Sequence, residues 1–525
     1  MITNHRVTLA MIGMFMLVVL GHLPGQASAQ VDVDVGGVHV HIGDAQPPPP
    51  PEGVEVLTRG PVHEAFAQPV IFDDGAGFMI THRPPAAIDE IPPDHRPQGN
   101  RIVWIPGYWS RDTDRSDFIW VSGCWRAVPP NTSWVPGYWA RSARGYRWIA
   151  GFWTTADADE IEYLPAPPAS LEEGPQVAGS PDRIWIPGCW VRHEGRYAWR
   201  PGFWDRARAD WVWVPAQYVY TPRGWVYVEG YWDYPLDRRG VAFLPVYWPS
   251  SAYERRDFRY SPEFALDLDS LTLYLFILPD RHQYYFGDYY GPEYAREGYH
   301  PWYEVRDHHD WYDPIFVQQQ WQHRDDRQWV EHQRTEYQHR RDDKSLRPAR
   351  TYEAMQAQAA RMPEKDRKQA QLGRPMREVV AGKTTPFKFD AVDAKTREAT
   401  AVRAKEVHAY TDKRAQWESP AAAVPGPGPE PKPVVTGKEP APMPPNDLPR
   451  EPQKVKIPRP PIAVREAVRD KDLTPPPRPE QPKPDPNARP KPSKSDTSDR
   501  SKDNSPGRSK DRDSSDKDKP DSTKK

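Results

Sequence analysis

A six-residue phrase, Trp-x-x-Gly-x-Trp, constrains the fold of this chain more than any other feature of its sequence. It recurs between residues 104 and 248, and successive copies start 14 to 16 residues apart within each of two groups. A fixed period decides the architecture, because each copy builds one structural unit. The intact copies start at Trp104, Trp120, Trp134, Trp148, Trp185 and Trp199, and the weaker ones at Trp213, Tyr227 and Phe243.

The two groups of copies indicate an internal duplication. Tyr163-Leu164 reads like Phe243-Leu244, and we interpret it as a decayed tenth copy. The copies then form two blocks of five units, block one at residues 104–168 and block two at 185–248. A linker rich in Ser, Glu, Gly and Pro joins the blocks at 169–184.

The length and composition of the unit favour β structure. About 14 residues are too few for two helices, but they fit a strand and a turn. Residues beside the phrases alternate, as in Trp211-Val212-Trp213, and turn signals such as Glu194-Gly195 and Arg144-Gly145 fall between units. We therefore predict an all-β repeat domain, an antiparallel meander of about ten units, followed by sparse helix and a long disordered tail.

Two geometries of the phrase itself stay open. In the first, Pro106-Gly107 is a tight turn across which Trp104 faces Trp109. In the second, the phrase is one strand, and its glycine marks a bulge or a close backbone approach. Proline is unusual inside a central strand, which favours the turn. However, proline at the first turn position gives turn types that splay a hairpin, which favours the strand.

The tryptophans are concentrated in the repeats, where 17 of the 22 lie between residues 104 and 248. We interpret them mainly as the core, because a small unit with few Leu or Ile needs large rings to bury enough apolar area. The alternative is an exposed aromatic row that stacks on sugars or peptides. The candidates for either role are Trp104, Trp109, Trp120, Trp125, Trp134, Trp139, Trp148, Trp153, Trp185, Trp190, Trp199 and Trp204.

The phrases resemble the YXWGXW (WXXGXW) repeat family of exported bacterial proteins, of the type found in planctomycetes. Trp134-Val-Pro-Gly-Tyr-Trp139 and Trp199-Arg-Pro-Gly-Phe-Trp204 carry the resemblance, and so does the segment from Tyr163 to Glu172 between the blocks. The resemblance implies an exported repeat protein. It assigns no catalytic or binding role to any residue.

Residues 1–29 are predicted to be a signal peptide, because an apolar run precedes the small-residue signal Ala27-Ser28-Ala29. Residues 30–52 are predicted to form a hairpin and a proline spacer. The hairpin would place four side chains of metal-binding types on one face, namely Asp32, Asp34, His39 and His41. We favour opposite-charge pairing on a solvated face, and we predict no metal site and no cofactor.

The two cysteines, Cys124 and Cys189, both occupy the fifth place of a phrase. Two cysteines in an exported chain favour a disulfide. The alternative is two buried thiols that fill a place taken elsewhere by Tyr or Phe.

We divide the rest of the chain by composition into four segments. These are an irregular lead-in at 53–103, an aromatic closing segment at 249–313, a polar helical extension at 314–418, and a disordered tail at 419–525. Helical signals are clearest at 352–361 and 395–416. The tail is Pro-rich and then Lys/Asp/Ser-rich, a composition that buries too little apolar surface to fold.

The sequence contains no phosphate-binding loop, dinucleotide fingerprint or metalloprotease motif, and we predict no catalytic residue. A formal net charge of -2 gives no specific signal for nucleic acid, and no segment after the signal peptide predicts a transmembrane helix. We predict an exported, non-enzymatic structural or interaction protein of the periplasm, the cell envelope or the extracellular space. The alternative is a module that binds polysaccharide or peptide through exposed Trp and Tyr rows, and its partner would be envelope polysaccharide or protein.

Overall fold

The computed structural model describes residues 53–72, 79–175, 179–307, 311–382, 385–419, 451–463 and 475–489, together with the strands Val33–Val35 and Val38–Val40. These two strands pair antiparallel with Asp34 opposite His39, as the alternating sequence predicts. Asp32, His41 and the predicted signal peptide lie outside the described residues. The metal candidates of the hairpin therefore receive no structural test.

The repeat phrases pair two by two, and each pair builds one antiparallel β unit of four short strands. We call these the first, second, third and fourth units; the first two belong to block one and the last two to block two. Their strands are Ile102–Ile105, Tyr108–Asp112, Asp117–Val121 and Cys124–Ala127; Thr132–Val135, Tyr138–Ser142, Gly145–Ile149 and Phe152–Thr155; Arg183–Ile186, Cys189–His193, Arg196–Arg200 and Phe203–Arg206; Val212–Val214, Gln217–Thr221, Gly224–Val228 and Tyr231–Asp233.

The register of each unit places the two phrases side by side in opposite directions. In the first unit, Trp109 lies opposite Trp120, and Trp104 lies opposite Trp125. Trp104 therefore does not face Trp109 across a Pro-Gly turn, and that prediction is wrong. The glycine marks a close backbone approach instead, because a Cβ on Gly107 would overlap the carbonyl oxygen of the facing phrase.

The chain reverses between phrases, where the sequence places its turn signals. Glu194 and Gly195 have φ values of 50° and 78°, and they link the paired residues His193 and Arg196. Two successive residues with positive φ give the turn type whose twist matches a two-residue hairpin. Gly145, with a φ of 137°, closes the corresponding hairpin of the second unit. The predicted turn positions are confirmed.

The two blocks exchange their fifth segments. Strand Glu160–Leu164, which ends block one, pairs with strand Gly224–Val228 of the fourth unit. Strands Gly240–Val241 and Val246–Tyr247, which end block two, pair with the first unit. Each block is therefore completed by a strand of the other.

The remaining strands are short and mostly border the units. They are Glu55–Val56, Gly60–Pro61, Val70–Ile71, Met79–Ile80, Asp89–Glu90, His95–Pro97, Arg259–Tyr260, Phe264–Leu266, Leu275–Leu278, Gln283–Phe286, His300–Pro301, Trp311–Tyr312, Gly373–Pro375, Phe389–Ala391, Gln453–Lys456 and Ile462–Ala463. The α-helices are Ser250–Tyr253, Leu268–Leu271, Pro292–Arg296, Pro314–Gln322, Trp329–Asp342, Tyr352–Ala359, Glu364–Ala370, Met376–Ala381 and Ala394–Trp417. Short 3-10 turns lie at Leu236–Arg238, Thr272–Tyr274, Pro279–Arg281, Trp302–Asp307 and Lys344–Leu346.

The helix Ala394–Trp417 lies across block one. Asp393 caps its first turn by accepting a hydrogen bond from the backbone N–H of Thr396. One stripe of the helix is buried against the first two units, and its members are Ala401, Ala404, Val407, Tyr410 and Arg414. The helical signals at 352–361 and 395–416 are confirmed, and both helices use the repeat domain as their core. Within the described ranges, every helix is too short or too polar to reach across a lipid bilayer.

Two pieces of the predicted disordered tail are ordered against the repeats. Strand Gln453–Lys456 pairs with strand Glu160–Leu164, and strand Ile462–Ala463 pairs with strand Thr132–Val135. Ile457 and Ile462 are 6% and 7% exposed. The prediction of disorder is wrong for these pieces, because main-chain pairing with an open strand edge needs little apolar surface of their own.

Candidate binding site in the tryptophan units

The tryptophan rings of the repeats form cross-strand pairs inside the units. Nine of the twelve candidate tryptophans are buried, and Trp139, Trp185 and Trp204 are half-buried. Facing rings have centroids 5.0–5.5 Å apart, and most are perpendicular or tilted. Edge-to-face pairs of this kind contribute roughly 0.5–1.5 kcal/mol beyond their buried area. The rings are thus mainly core, and they form no continuous exposed row.

Each phrase glycine makes room for the first tryptophan of the facing phrase. A Cβ on Gly137 would lie 2.6 Å from the ring of Trp148, and one on Gly188 would lie 2.5 Å from the ring of Trp199. The fourth unit shows the same rule by exception. Its facing residue is Tyr227, a shorter ring, and the glycine position opposite is Ala216.

A buried carboxylate closes the centre of the first unit. Glu90 is 2% exposed, and its two oxygens accept hydrogen bonds from the backbone N–H groups of Gly107 at 2.8 Å and Gly123 at 3.0 Å. The indole N–H of Trp120 donates to the same carboxylate at 2.9 Å. The two phrase glycines and one phrase tryptophan therefore form a three-donor cradle for a carboxylate.

The second unit has the same cradle, filled by Glu64. The backbone N–H groups of Gly137 and Gly151 donate to its oxygens at 2.9 and 3.1 Å. The indole N–H of Trp148 donates at 3.2 Å. Glu64 comes from the lead-in and lies 73 residues before Gly137, so the cradle joins distant parts of the chain.

The third unit receives Glu172 from the predicted linker. The indole N–H of Trp185 donates to this carboxylate at 3.0 Å, and the backbone N–H of Gly188 donates to its other oxygen. The indole N–H of Trp190 donates to the carbonyl of Ala169 at 2.9 Å, three residues earlier in the same segment. The linker is therefore bound to the unit that follows it.

Burial and hydrogen bonding act on these carboxylates in opposite directions. Burial raises the pKa of Glu64 and of Glu90 to about 7, while the N–H donors lower it. The positive charge of Arg414 also lowers the pKa of Glu64. Both groups therefore change charge near neutral pH, in sites that are closed by the repeat itself.

Cationic and neutral donors bind the carbonyl groups of the same glycine junctions. In the second unit, the fully buried Arg414 donates to the carbonyls of Pro136 at 2.8 Å and Ala150 at 3.1 Å. In the first unit, His63 donates to the carbonyl of Pro106, and His408 donates to that of Gly107, both at 3.0 Å. Burial lowers the pKa of His63 to about 4, which keeps its ring neutral.

The fourth unit has the donors of the cradle but no carboxylate among the described residues. Trp213 is 1% exposed, and its indole N–H has no hydrogen-bond partner. Gly230 lies against this ring as the other glycines do. Ala216 holds the remaining glycine position.

A cavity of about 950 Å³ opens between the first and second units. Its floor is aromatic, with Trp109, Trp139 and Trp148, and its walls include Tyr253 and the helix residue His408. A volume of this size and an aromatic lining with few polar groups are typical of ligand sites.

Comparison with known proteins identifies the repeat. Residues 103–126, 134–154, 184–205 and 208–233 match the family model of the WXXGXW repeat, which spans two copies of the phrase. The chain carries WXXGXW repeats. Each matched range coincides with one of the four structural units, so the paired phrase is the WXXGXW unit. No curated protein and no solved structure matches the chain.

The predicted disulfide between Cys124 and Cys189 is wrong, since both cysteines are free and buried. They lie in different WXXGXW units, where each faces a residue of its own unit: Cys124 faces Ile105 and Cys189 faces Arg200. The Arg200 guanidinium donates to the Cys189 sulfur at 2.9 Å. Burial raises the pKa of both thiols.

The sequence analysis missed the glutamates that fill the cradles. Glu90 and Glu172 precede the first tryptophan of their blocks by 14 and 13 residues, and this equal spacing was a usable signal. Glu64 and Arg414 gave no such signal, because they reach the second unit from distant segments. In the described part of the chain, no three His, Cys, Asp or Glu side chains are grouped as metal ligands.

Proposed function

We propose that this chain is an exported, non-enzymatic interaction protein of the bacterial envelope, whose WXXGXW units bind extended polypeptide by strand addition. Open strand edges bind peptides through main-chain hydrogen bonds, and alternate side chains then provide specificity. The tryptophans supply a rigid body for these edges, since their rings are used in the core.

The observation that carries the proposal is the binding of the chain's own C-terminal segments. Strand Gln453–Lys456 extends the sheet that contains the fourth unit, and strand Ile462–Ala463 extends the second unit. At the third unit, Trp199 and Asp485 exchange two main-chain hydrogen bonds, at 3.1 and 2.7 Å. Three separate pieces of Pro-rich sequence thus occupy three edges.

The contacts of these segments indicate which peptides the edges prefer. Lys454 forms an ion pair with Glu160 at 3.2 Å, and Arg478 forms one with Glu229. Ile457 and Ile462 supply the buried apolar contacts. We therefore expect extended, proline-containing segments with alternating basic and aliphatic residues to bind.

The non-enzymatic part of the proposal is supported by the state of the buried acids. Glu64, Glu90 and Glu172 are the strongest candidates for acid–base chemistry, but their oxygens accept hydrogen bonds from the repeat. A carboxylate held in this way stabilises the fold. Export is supported by the signal-like sequence of residues 1–29 and by the resemblance to exported repeat proteins.

A competition experiment tests the strand-adding edges. A labelled peptide with the sequence of residues 451–463 is titrated into the full-length protein and into the double variant Ile457→Asp/Ile462→Asp, which weakens the chain's own segment. We expect the double variant to bind the peptide at least tenfold more tightly than the wild type. Val402→Asp, at an exposed helix position, is the matched control. Equal affinities, or no binding by either protein, would count against strand addition.

A second candidate function is the binding of polysaccharide or peptide in the cavity between the first and second units. The aromatic floor of that cavity favours it, because rings stack on sugar faces and on proline. Envelope glycan fragments should then quench tryptophan fluorescence in a saturable way. Tyr253→Ala, at the wall, should weaken this by several-fold, whereas Tyr247→Ala, outside the cavity, should not. Quenching that neither variant changes would exclude this cavity as the site.

A further inference from the structure

The fourth unit differs from the other three in lacking an acid at its centre. In each filled unit, a phrase tryptophan donates its indole N–H to a glutamate. In the third unit this donor is Trp185, the first tryptophan of the first phrase, and its counterpart in the fourth unit is Trp213. The N–H of Trp213 has no partner, although the side chain is 1% exposed. A buried donor without an acceptor costs roughly 1–3 kcal/mol.

The duplication explains why this cradle has no glutamate of its own. Glu172 follows Glu90 by 82 residues, so the second block copied the lead-in acid of the first unit. The residue that follows Glu64 by the same distance is Tyr146. That position lies in a strand of the second unit and cannot supply an acid to the fourth.

We propose that the fourth unit is a binding site for a carboxylate side chain on an extended segment of another polypeptide. The donors are the indole N–H of Trp213 and the backbone N–H groups of Ala216 and Gly230. They match the donors that bind Glu172 in the third unit, where Trp185 and Gly188 supply the indole and the backbone N–H. This site is separate from the strand-adding edges and takes a ligand of opposite charge.

The chain itself shows the form in which such a ligand arrives. Glu90 and Glu172 each follow an apolar residue by one or two places, and each lies within an extended, proline-containing segment. The C-terminal piece at 475–480 contacts the residues that flank Gly230. The carbonyl of Pro477 accepts a hydrogen bond from Trp232 at 3.3 Å, and Arg478 pairs with Glu229. An acidic segment that docks here would meet the Arg478 guanidinium beside the cradle.

The test uses a fluorescein-labelled peptide with the sequence of residues 167–175, which contains Glu172, and the full-length protein. Binding is measured by anisotropy, and the indole N–H signal of Trp213 is followed by ¹H–¹⁵N correlation. We expect saturable binding with movement of that signal. A peptide with Gln in place of this glutamate should bind at least tenfold more weakly, because it lacks the charge of the acceptor.

Two protein variants locate the site. Trp213→Phe removes the donor and should abolish binding. Trp104→Phe is the matched control, because its indole N–H also lacks a partner but its unit already holds Glu90. The control should bind as the wild type does. Equal binding of the Glu and Gln peptides, or a Trp213 signal that does not move, would overturn the proposal. So would equal saturation of that signal by acetate, which would assign the site to free carboxylates.

Discussion

At the scale of single residues, the phrase is explained by the contact between a glycine and a facing tryptophan. The glycine has no side chain, so the indole ring can lie directly on the backbone at the junction of the strands. The same glycine N–H then points to a buried glutamate in three units. Ala216 opposite Tyr227 shows that glycine and tryptophan change together.

A double-mutant cycle tests this coupling in the third unit. Gly188→Ala should destabilise the protein by about 3 kcal/mol, because the new methyl group overlaps the Trp199 ring and nearby backbone. Trp199→Tyr alone should cost about 2 kcal/mol through lost burial. The double variant reproduces the Ala216/Tyr227 pair of the fourth unit, so it should recover at least about 1 kcal/mol relative to the sum. Denaturant unfolding measures all three, and strict additivity would refute the coupling.

The pKa of Glu90 predicts a pH dependence of stability. Because burial raises it from 4.5 to about 7, the folded protein keeps a proton that the unfolded chain releases between these pH values. The free energy of unfolding therefore falls as the pH rises from 4.5 to 7, by roughly 3 kcal/mol for this group. His63 acts in the opposite direction, since its lowered pKa of about 4 makes stability rise with pH up to 6.5.

Comparison with Glu90→Gln isolates the contribution of this carboxyl group from that of His63. The stability of the wild type minus that of Glu90→Gln should decrease between pH 4.5 and 7 and become constant above pH 8. Urea unfolding at a series of pH values measures this difference. Parallel pH curves for the two proteins would show that Glu90 keeps its ordinary pKa in the fold.

At the scale of elements, the sequence predicted the strands and turns but not their partners. Alternation and Gly-containing turn signals depend on neighbours in the chain, so they predicted the hairpin at Glu194-Gly195 and the helix at 395–416. The pairing of Trp104 with Trp125 depends on a contact 21 residues away, and every phrase offers the same aromatic faces. The repeat pattern alone could not distinguish a turn at Pro-Gly from a paired strand.

The helix Ala394–Trp417 shows how a polar element becomes part of the core. Arg414 donates to two carbonyls of the second unit and pairs with Glu418 at 3.0 Å, and both side chains are fully buried. The charged residue thus satisfies backbone groups at the glycine junction. Charge in this stretch of sequence was consistent with a solvated helix, and no local signal marked Arg414 as different.

Arg414→Met should destabilise the protein by about 3–5 kcal/mol, because it leaves the Glu418 carboxylate buried without its partner. Two carbonyls of the second unit would also lose their donor. The matched control is Lys413→Met, an exposed position beside it, which should change stability by less than about 0.5 kcal/mol. Thermal unfolding of both variants measures the contrast. A loss equal to that of the control would remove Arg414 from the list of stabilising residues.

At the scale of the whole molecule, the two blocks are interlocked. Each block takes a strand from the other, and Arg126 of the first unit pairs with Asp233 of the fourth at 2.6 Å. Arg239 pairs with the same aspartate at 3.1 Å. The sequence predicted two blocks from their period, but the exchange joins residues more than 60 positions apart and leaves no trace in the repeat pattern.

Interlocking predicts that the blocks unfold together. Val226→Ala weakens the strand of block two that pairs with Tyr163 of block one, and it should cost about 1 kcal/mol. Hydrogen exchange should then show an equal loss of protection at residues 134–154, in block one. Loss of protection confined to block two would mean that the blocks are independent.

The indole N–H signals of the repeat tryptophans measure the carboxylate cradles directly. In a ¹H–¹⁵N correlation spectrum of the full-length protein, Trp120, Trp148 and Trp185 should show the downfield shift of a donor bound to a carboxylate. Substituting Gln for Glu90, Glu64 or Glu172 should each move only the signal of its own unit, in that order. Signals that stay in place, or that all move together under one substitution, would contradict a repeat closed unit by unit around a buried acid.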